Sequence, residues 1–241
     1  MLIKTKAFVL RTVRFADRKI IVDMFTRSHG RMSFLVPLSQ SPRAAVKKQF
    51  FQPMTLLELS VDFRPKASLQ RIKEVHLSTP YASLPFEPHK LSIAFFVSEF
   101  LCHALHSEQQ NIPLYDYIED SLLWLDSCAS RYANFHIVFM MRLSRFLGFY
   151  PNIEGYEPGA LFDLQSACFV HALPPHRYYL QPGESHALCA LLRMDFATMH
   201  LFRLSHDERN LLVEGILTFY RLHLPDFPEL RSLEVLKTIY G

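Results

Sequence analysis

The first eighty positions alternate between apolar and polar residues with the period of a β-strand. In Pro53–Phe63, Leu57, Leu59 and Val61 face one way and Glu58 and Ser60 the other. Ile3–Thr12, Arg18–Thr26, Arg31–Leu38 and Ser68–Ser78 are likewise rich in β-branched, aromatic and leucine residues and are separated by turn-forming stretches. The tetrapeptide Ser28–Arg31 has Gly30 where a hairpin needs positive φ, which predicts antiparallel pairing of the second and third strands. In the fifth strand Leu69, Ile72 and Val75 break the two-residue parity, as a β-bulge does. Five short strands with a long loop between the third and fourth point to a small closed barrel of the OB type.

The pattern changes after Ser78. A linker with Pro80, Pro85 and Pro88 leads into segments of helical period: Lys90–His106, Pro113–Ser127, Asn134–Phe149, Glu184–Leu192 and Ser205–Leu224. Asn134 is a candidate cap for the third, which should end near Gly148; Ser205 and Glu208 stand at capping-box spacing for the last. Between Tyr150 and Pro182 neither period holds, and Ala160–Val170 reads as a short hairpin. The expected class is α+β: an OB-fold barrel over residues 1–80, then a helical bundle over 81–241 with a small irregular insertion at about 150–182.

Charge sharpens this division. Residues 1–80 hold 15 Lys and Arg against 5 Asp and Glu, whereas residues 81–241 hold 11 against 18. Met24–Leu57 contains no acid and five cations, Arg27, Arg31, Arg43, Lys47 and Lys48. A basic barrel joined to an acidic remainder points to a polyanion bound by the barrel alone; surface lysines that merely keep a β domain soluble are the plainer explanation. The candidate phosphate contacts are Arg14, Arg18, Lys19, Arg27, Arg31, Arg43, Lys47 and Lys48, with Phe50 or Phe51 as candidate stacking aromatics and Phe34 assigned to the core.

Other chemistry is sparse. The four cysteines, Cys102, Cys128, Cys168 and Cys189, show no close pairing and fit free thiols in a reducing cytosol. The N-terminus lacks the apolar stretch of a signal peptide, and the most apolar run, Leu91–Leu105, is too short to span a membrane. No P-loop, GxGxxG, GxSxG or HExxH motif occurs, so neither an enzyme nor a cofactor is expected. Cys168, His171, His186 and Cys189 form a ligand set that Zn²⁺ accepts, but Cys189 falls on the buried stripe of a helix, and the expectation is no metal. In Phe135–Phe149, Arg142 and Arg145 stand three apart beside Phe139: either a groove for an acidic, apolar peptide tail or two solvated arginines edging a core helix.

Four stretches, in order along the chain, resemble one family. AFVLRTVRFADRKIIVDMFTRSHGRMSFLV (residues 7–36) resembles the opening of the bacterial recombination mediator RecO; QPMTLLEL (52–59), RFLGFYP (145–151) and RSLEVLK (231–237) resemble its fourth strand, a bundle helix and its C-terminal segment. The resemblance implies a non-enzymatic protein that binds single- and double-stranded DNA and anneals complementary strands. It also implies partnership with RecR and with the C-terminal tail of the single-stranded-DNA-binding protein, so that recombinase loads onto coated DNA. Two departures stand out: the four zinc cysteines of many members are reduced here to Cys168, and the basic loop after the third strand reads VPLSQSPRAAVKK, moving its cations to Arg43, Lys47 and Lys48. An RNA-binding barrel and a pure protein adaptor remain as rival readings.

Overall fold

The computed structural model describes residues 1–38, 48–106 and 109–239. Strands β1 (Leu2–Ala16), β2 (Lys19–Thr26), β3 (Gly30–Pro37), β4 (Leu56–Asp62) and β5 (Leu69–Leu77) close a barrel in the order β1-β2-β3-β5-β4. All neighbours are antiparallel except β3 and β5, which meet in parallel at Ser33–Leu69 and Phe34–Gln70. Gly30 takes φ +66° and closes the β2–β3 hairpin, as its position predicts. The broken parity of β5 is a bulge: Ser60 pairs with Glu74 and Val61 with Ile72, leaving Lys73 unpaired. Inside the barrel Val9, Val22, Met24, Phe34, Leu57, Leu59 and Val61 are buried, and Phe51, in a 3-10 turn over Lys48–Phe51, packs into the same core.

The outer wall is apolar along one row as well. Leu56, Phe8 and Phe25 are cross-strand neighbours on β4, β1 and β2, all fully buried. Helices α1 (Pro88–Ala104) and α2 (Ile112–Ser127) cover this wall: Phe8 stacks on Tyr115 at 5.5 Å, and Ser98 donates to the Leu10 carbonyl at 2.5 Å. Leu10 is itself unpaired at a second bulge, so Ser98 satisfies an acceptor the ladder leaves free. The linker is held by Asp126, whose carboxylate accepts the backbone N–H groups of Ala82, Ser83 and Leu84 at 2.7–2.8 Å. By its contacts the chain divides into one unit of residues 1–127 with 230–236, and a second of residues 128–229 with the end of the last helix.

The second unit packs α3 (Phe135–Leu143), α4 (Pro182–Leu192) and α5 (His206–His223) with a small sheet of β6 (Leu161–Asp163), β7 (Cys168–Val170) and β8 (Tyr179–Leu180) in the order β7-β6-β8. The β6–β7 pair is the hairpin expected within Ala160–Val170; β8, only two residues long, gives no readable alternation. The Ser205–Glu208 capping box opens α5 as its spacing predicts. Helix α3 ends earlier than the pattern suggests. Past Leu143 the chain tightens into i−3 bonds from Arg145 to Arg142 and from Phe146 to Leu143, and Gly148 at φ +86° turns it away. A last helix, α6 (Ser232–Ile239), is absent from the periodicity reading. Its first N–H groups, from Arg231 and Ser232, are met by the Glu99 carboxylate at 3.1 and 2.8 Å, a cap from 132 and 133 positions away.

Candidate nucleic-acid interface

The eight cations singled out by charge fall into three groups. Arg14, Arg18 and Lys19 sit at the exposed tip of the β1–β2 hairpin, whose two-residue turn is Asp17–Arg18. Asp17 lies 3.7 Å from Arg14, but both side chains are fully open to solvent, and such a pair is worth at most about 1 kcal/mol. Lys48 is also exposed, at the start of the 3-10 turn. Arg43 and Lys47 lie outside the described residues.

Arg27 and Arg31 are engaged within the first unit. Arg27 donates to both carboxylate oxygens of Asp116 on α2, at 2.7 and 3.1 Å. That bidentate bond raises the Arg27 pKa and holds Asp116 below the usual carboxylate range. Lys6 likewise meets Glu119 at 3.2 Å. Arg31 has only 13% of its side chain exposed; it donates to the Cys102 carbonyl of α1 at 2.5 Å and lies 3.3 Å from Asp23. Acids on α2 therefore neutralise the wall cations, while the hairpin tip keeps its charge.

Asp23 anchors a polar knot on the outer wall. Burial alone would raise its pKa, yet bonds from Ser33 (2.5 Å) and Arg11 (2.7 Å), with the charges of Arg11 and Arg31, hold it below the ordinary carboxylate value. Phe34 and Phe51 are buried and Phe50 packs against the core, so none of the three is an open stacking surface. The exposed aromatic of the basic end is Phe15, at 59%, a residue the sequence reading passed over. Its signal was present: an aromatic between Arg14 and Arg18 whose neighbour Ala16 begins the turn.

In the second unit Phe139 is fully buried and stacks on Phe135 at 5.8 Å. Arg142 donates to the Met194 carbonyl at 2.6 Å. Arg145 lies past the end of α3, exposed, with its guanidinium 4.1 Å above the Tyr150 ring. The three therefore do not form one open face. Cys168 contacts Ser166, His171 lies 3.5 Å from Glu157, His186 meets the Tyr156 hydroxyl at 2.9 Å, and Cys189 is buried in α4, where desolvation pushes its thiol pKa up. Among the described residues no three His, Cys, Asp or Glu side chains converge as a metal would require, and no helix is long and apolar enough to cross a membrane.

Two family models match the chain: recombination protein O N terminal over residues 1–81 and recombination protein O C terminal over residues 85–234. The chain is 48% identical to the DNA repair protein RecO of Phocaeicola vulgatus, 47% to that of Bacteroides fragilis and 33% to that of Flavobacterium psychrophilum, each across the full length of both chains. The chain belongs to the RecO family of DNA repair and recombination proteins.

Proposed function

We propose that this chain is a non-enzymatic recombination mediator whose barrel, residues 1–80, binds single- and double-stranded DNA and anneals complementary strands. The observation that carries the proposal is the fully exposed cationic tip of the β1–β2 hairpin, Arg14, Arg18 and Lys19, on a barrel whose wall cations are already paired. Lys48, Arg43 and Lys47 extend the contact, while Arg27 and Arg31 support it by holding the hairpins on the helices. Cations between two strands screen the repulsion of their phosphates, and annealing by this route consumes no nucleotide. The helical part, residues 81–241, serves as the partner-binding region. It meets RecR and the acidic C-terminal tail of the single-stranded-DNA-binding protein, the latter near Arg142 and Arg145, and so raises the local concentration of coated DNA for recombinase loading.

The test is fluorescence anisotropy of labelled single-stranded and duplex DNA between about 50 and 200 mM salt. The native chain should bind both with a log–log salt slope of several units. Converting Arg14, Arg18 and Lys19 together to glutamate should weaken both and flatten the slope by about two to three units, since each phosphate contact adds about 0.7 (single strand) or 0.9 (duplex). Unchanged affinity would remove the hairpin from the interface. A clear preference for RNA over DNA of the same sequence would favour an RNA-binding barrel instead.

A further inference from the structure

The outer face of the β1–β2–β3 sheet changes character towards the hairpin tip. One cross-strand row, Arg11–Asp23–Ser33, is polar and tied together. The next, Val13–Ile21–Leu35, is apolar, and Val13 remains 48% exposed with Ile21 and Leu35 only partly covered. Three adjacent strands make this row about 10 Å wide, the dimension of a nucleobase and its sugar.

Phe15 stands at the end of that row for a specific reason. Arg14 pairs with Ile20 and Ala16 with Lys19, so Phe15 is the unpaired residue of a bulge. Bulges re-aim a side chain out of the pleat, and here the result is a phenylalanine 59% exposed. Among the described residues it has neither an aromatic nor a cationic partner. It sits between Arg14 and the turn cations Arg18 and Lys19, all exposed.

We propose that Phe15, backed by the Val13–Ile21–Leu35 row, is a stacking platform for an unpaired base of single-stranded DNA, and that it makes the hairpin favour single strands over duplex. This rests on the DNA-binding reading of the same hairpin. An apolar, ring-bearing surface ringed by cations complements a chain that carries anions on one edge and exposed ring faces on the other. In a duplex those ring faces are already stacked on one another, so duplex DNA meets only the cations. An apolar protein surface would match the ring but not its cationic surround.

The experiment compares the native full-length chain with Phe15→Ala and Phe15→Trp, using an oligonucleotide of about 20 nucleotides, its duplex, and an abasic version of the same backbone. Stacking of one base corresponds to roughly a five- to hundredfold change in affinity. Phe15→Ala should lose that factor on the single strand, leave duplex and abasic binding within about twofold, and keep the salt slope and thermal midpoint unchanged. In Phe15→Trp the new indole should be quenched by the single strand and by neither control, against the one native tryptophan, Trp124, as background. Native-level single-strand binding by Phe15→Ala overturns the platform and leaves the patch to a protein partner. Equal losses on single strand and duplex overturn it too, by making Phe15 a shaper of the hairpin. If the native chain binds neither DNA, the reading of the hairpin falls and the platform with it.

Discussion

Single side chains separate charge that holds the fold from charge left for a ligand. Arg31 illustrates the first: composition groups it with the phosphate contacts, whereas the register sets it opposite Phe25, within reach of Asp23 and the Cys102 carbonyl. Arg31→Ala and Asp23→Asn should each destabilise the first unit by about 1.5–3 kcal/mol, the range for bonds to charged groups, measured by urea denaturation. Had Arg31 been a free surface cation, the loss would stay within about 0.5 kcal/mol. His136 supplies a pH-dependent counterpart in the second unit. Burial, reinforced by the nearby Arg209 charge, pushes its imidazole down to about 3. Above the unfolded value of about 6.5 both states are neutral; below it only the unfolded chain takes the proton, so stability falls as pH drops. From pH 7.5 to pH 5 this group alone should cost about 2 kcal/mol, a window in which carboxylates stay ionised in both states. His136→Gln should show a correspondingly smaller loss over the same interval, and an identical pH profile would refute the assignment.

At the scale of elements, what was legible depended on whether the determining partner was local. Gly30, the β5 bulge and the Ser205 cap were readable because each turns on residues within a few positions. The end of α3 was misplaced by six residues because its apolar period runs on through Phe146 while the backbone has already left the α-helical bonding pattern. Helix α6 was missed for a different reason: its N-terminal cap, Glu99, lies on α1. Glu99→Ala should therefore expose the first N–H groups of α6 at a cost of about 0.5–2 kcal/mol. Hydrogen exchange would show it as lost protection confined to the start of that helix, with the barrel strands unaffected. The candidate interface was legible as a charge pattern but not as a set of contacts. Nothing local distinguishes Arg27, which finds Asp116 at a separation of 89 residues, from Arg18, which stays exposed.

Across the whole molecule, the barrel that carries the charge is only half closed by its own sequence. Its interior is filled by its own strands, but Phe8, Phe25 and Leu56 on the outer wall are buried beneath the helices that follow, Phe8 against Tyr115 itself. Full burial of three such side chains is worth roughly 5–9 kcal/mol, as much as the net stability of many domains. Those helices also bring Asp116 and Glu119 to Arg27 and Lys6, cancelling charge on the covered wall. The same packing thus stabilises the barrel and confines its free positive charge to the hairpin end. A fragment of residues 1–80 should accordingly expose an apolar wall and aggregate, whereas residues 1–127 should stay soluble and keep the strand signature in circular dichroism. The longer fragment should also retain the salt-dependent single-strand affinity of the Arg14, Arg18 and Lys19 hairpin. Were residues 1–80 to fold and bind as well as residues 1–127, the helices would be passengers on the barrel rather than its outer layer.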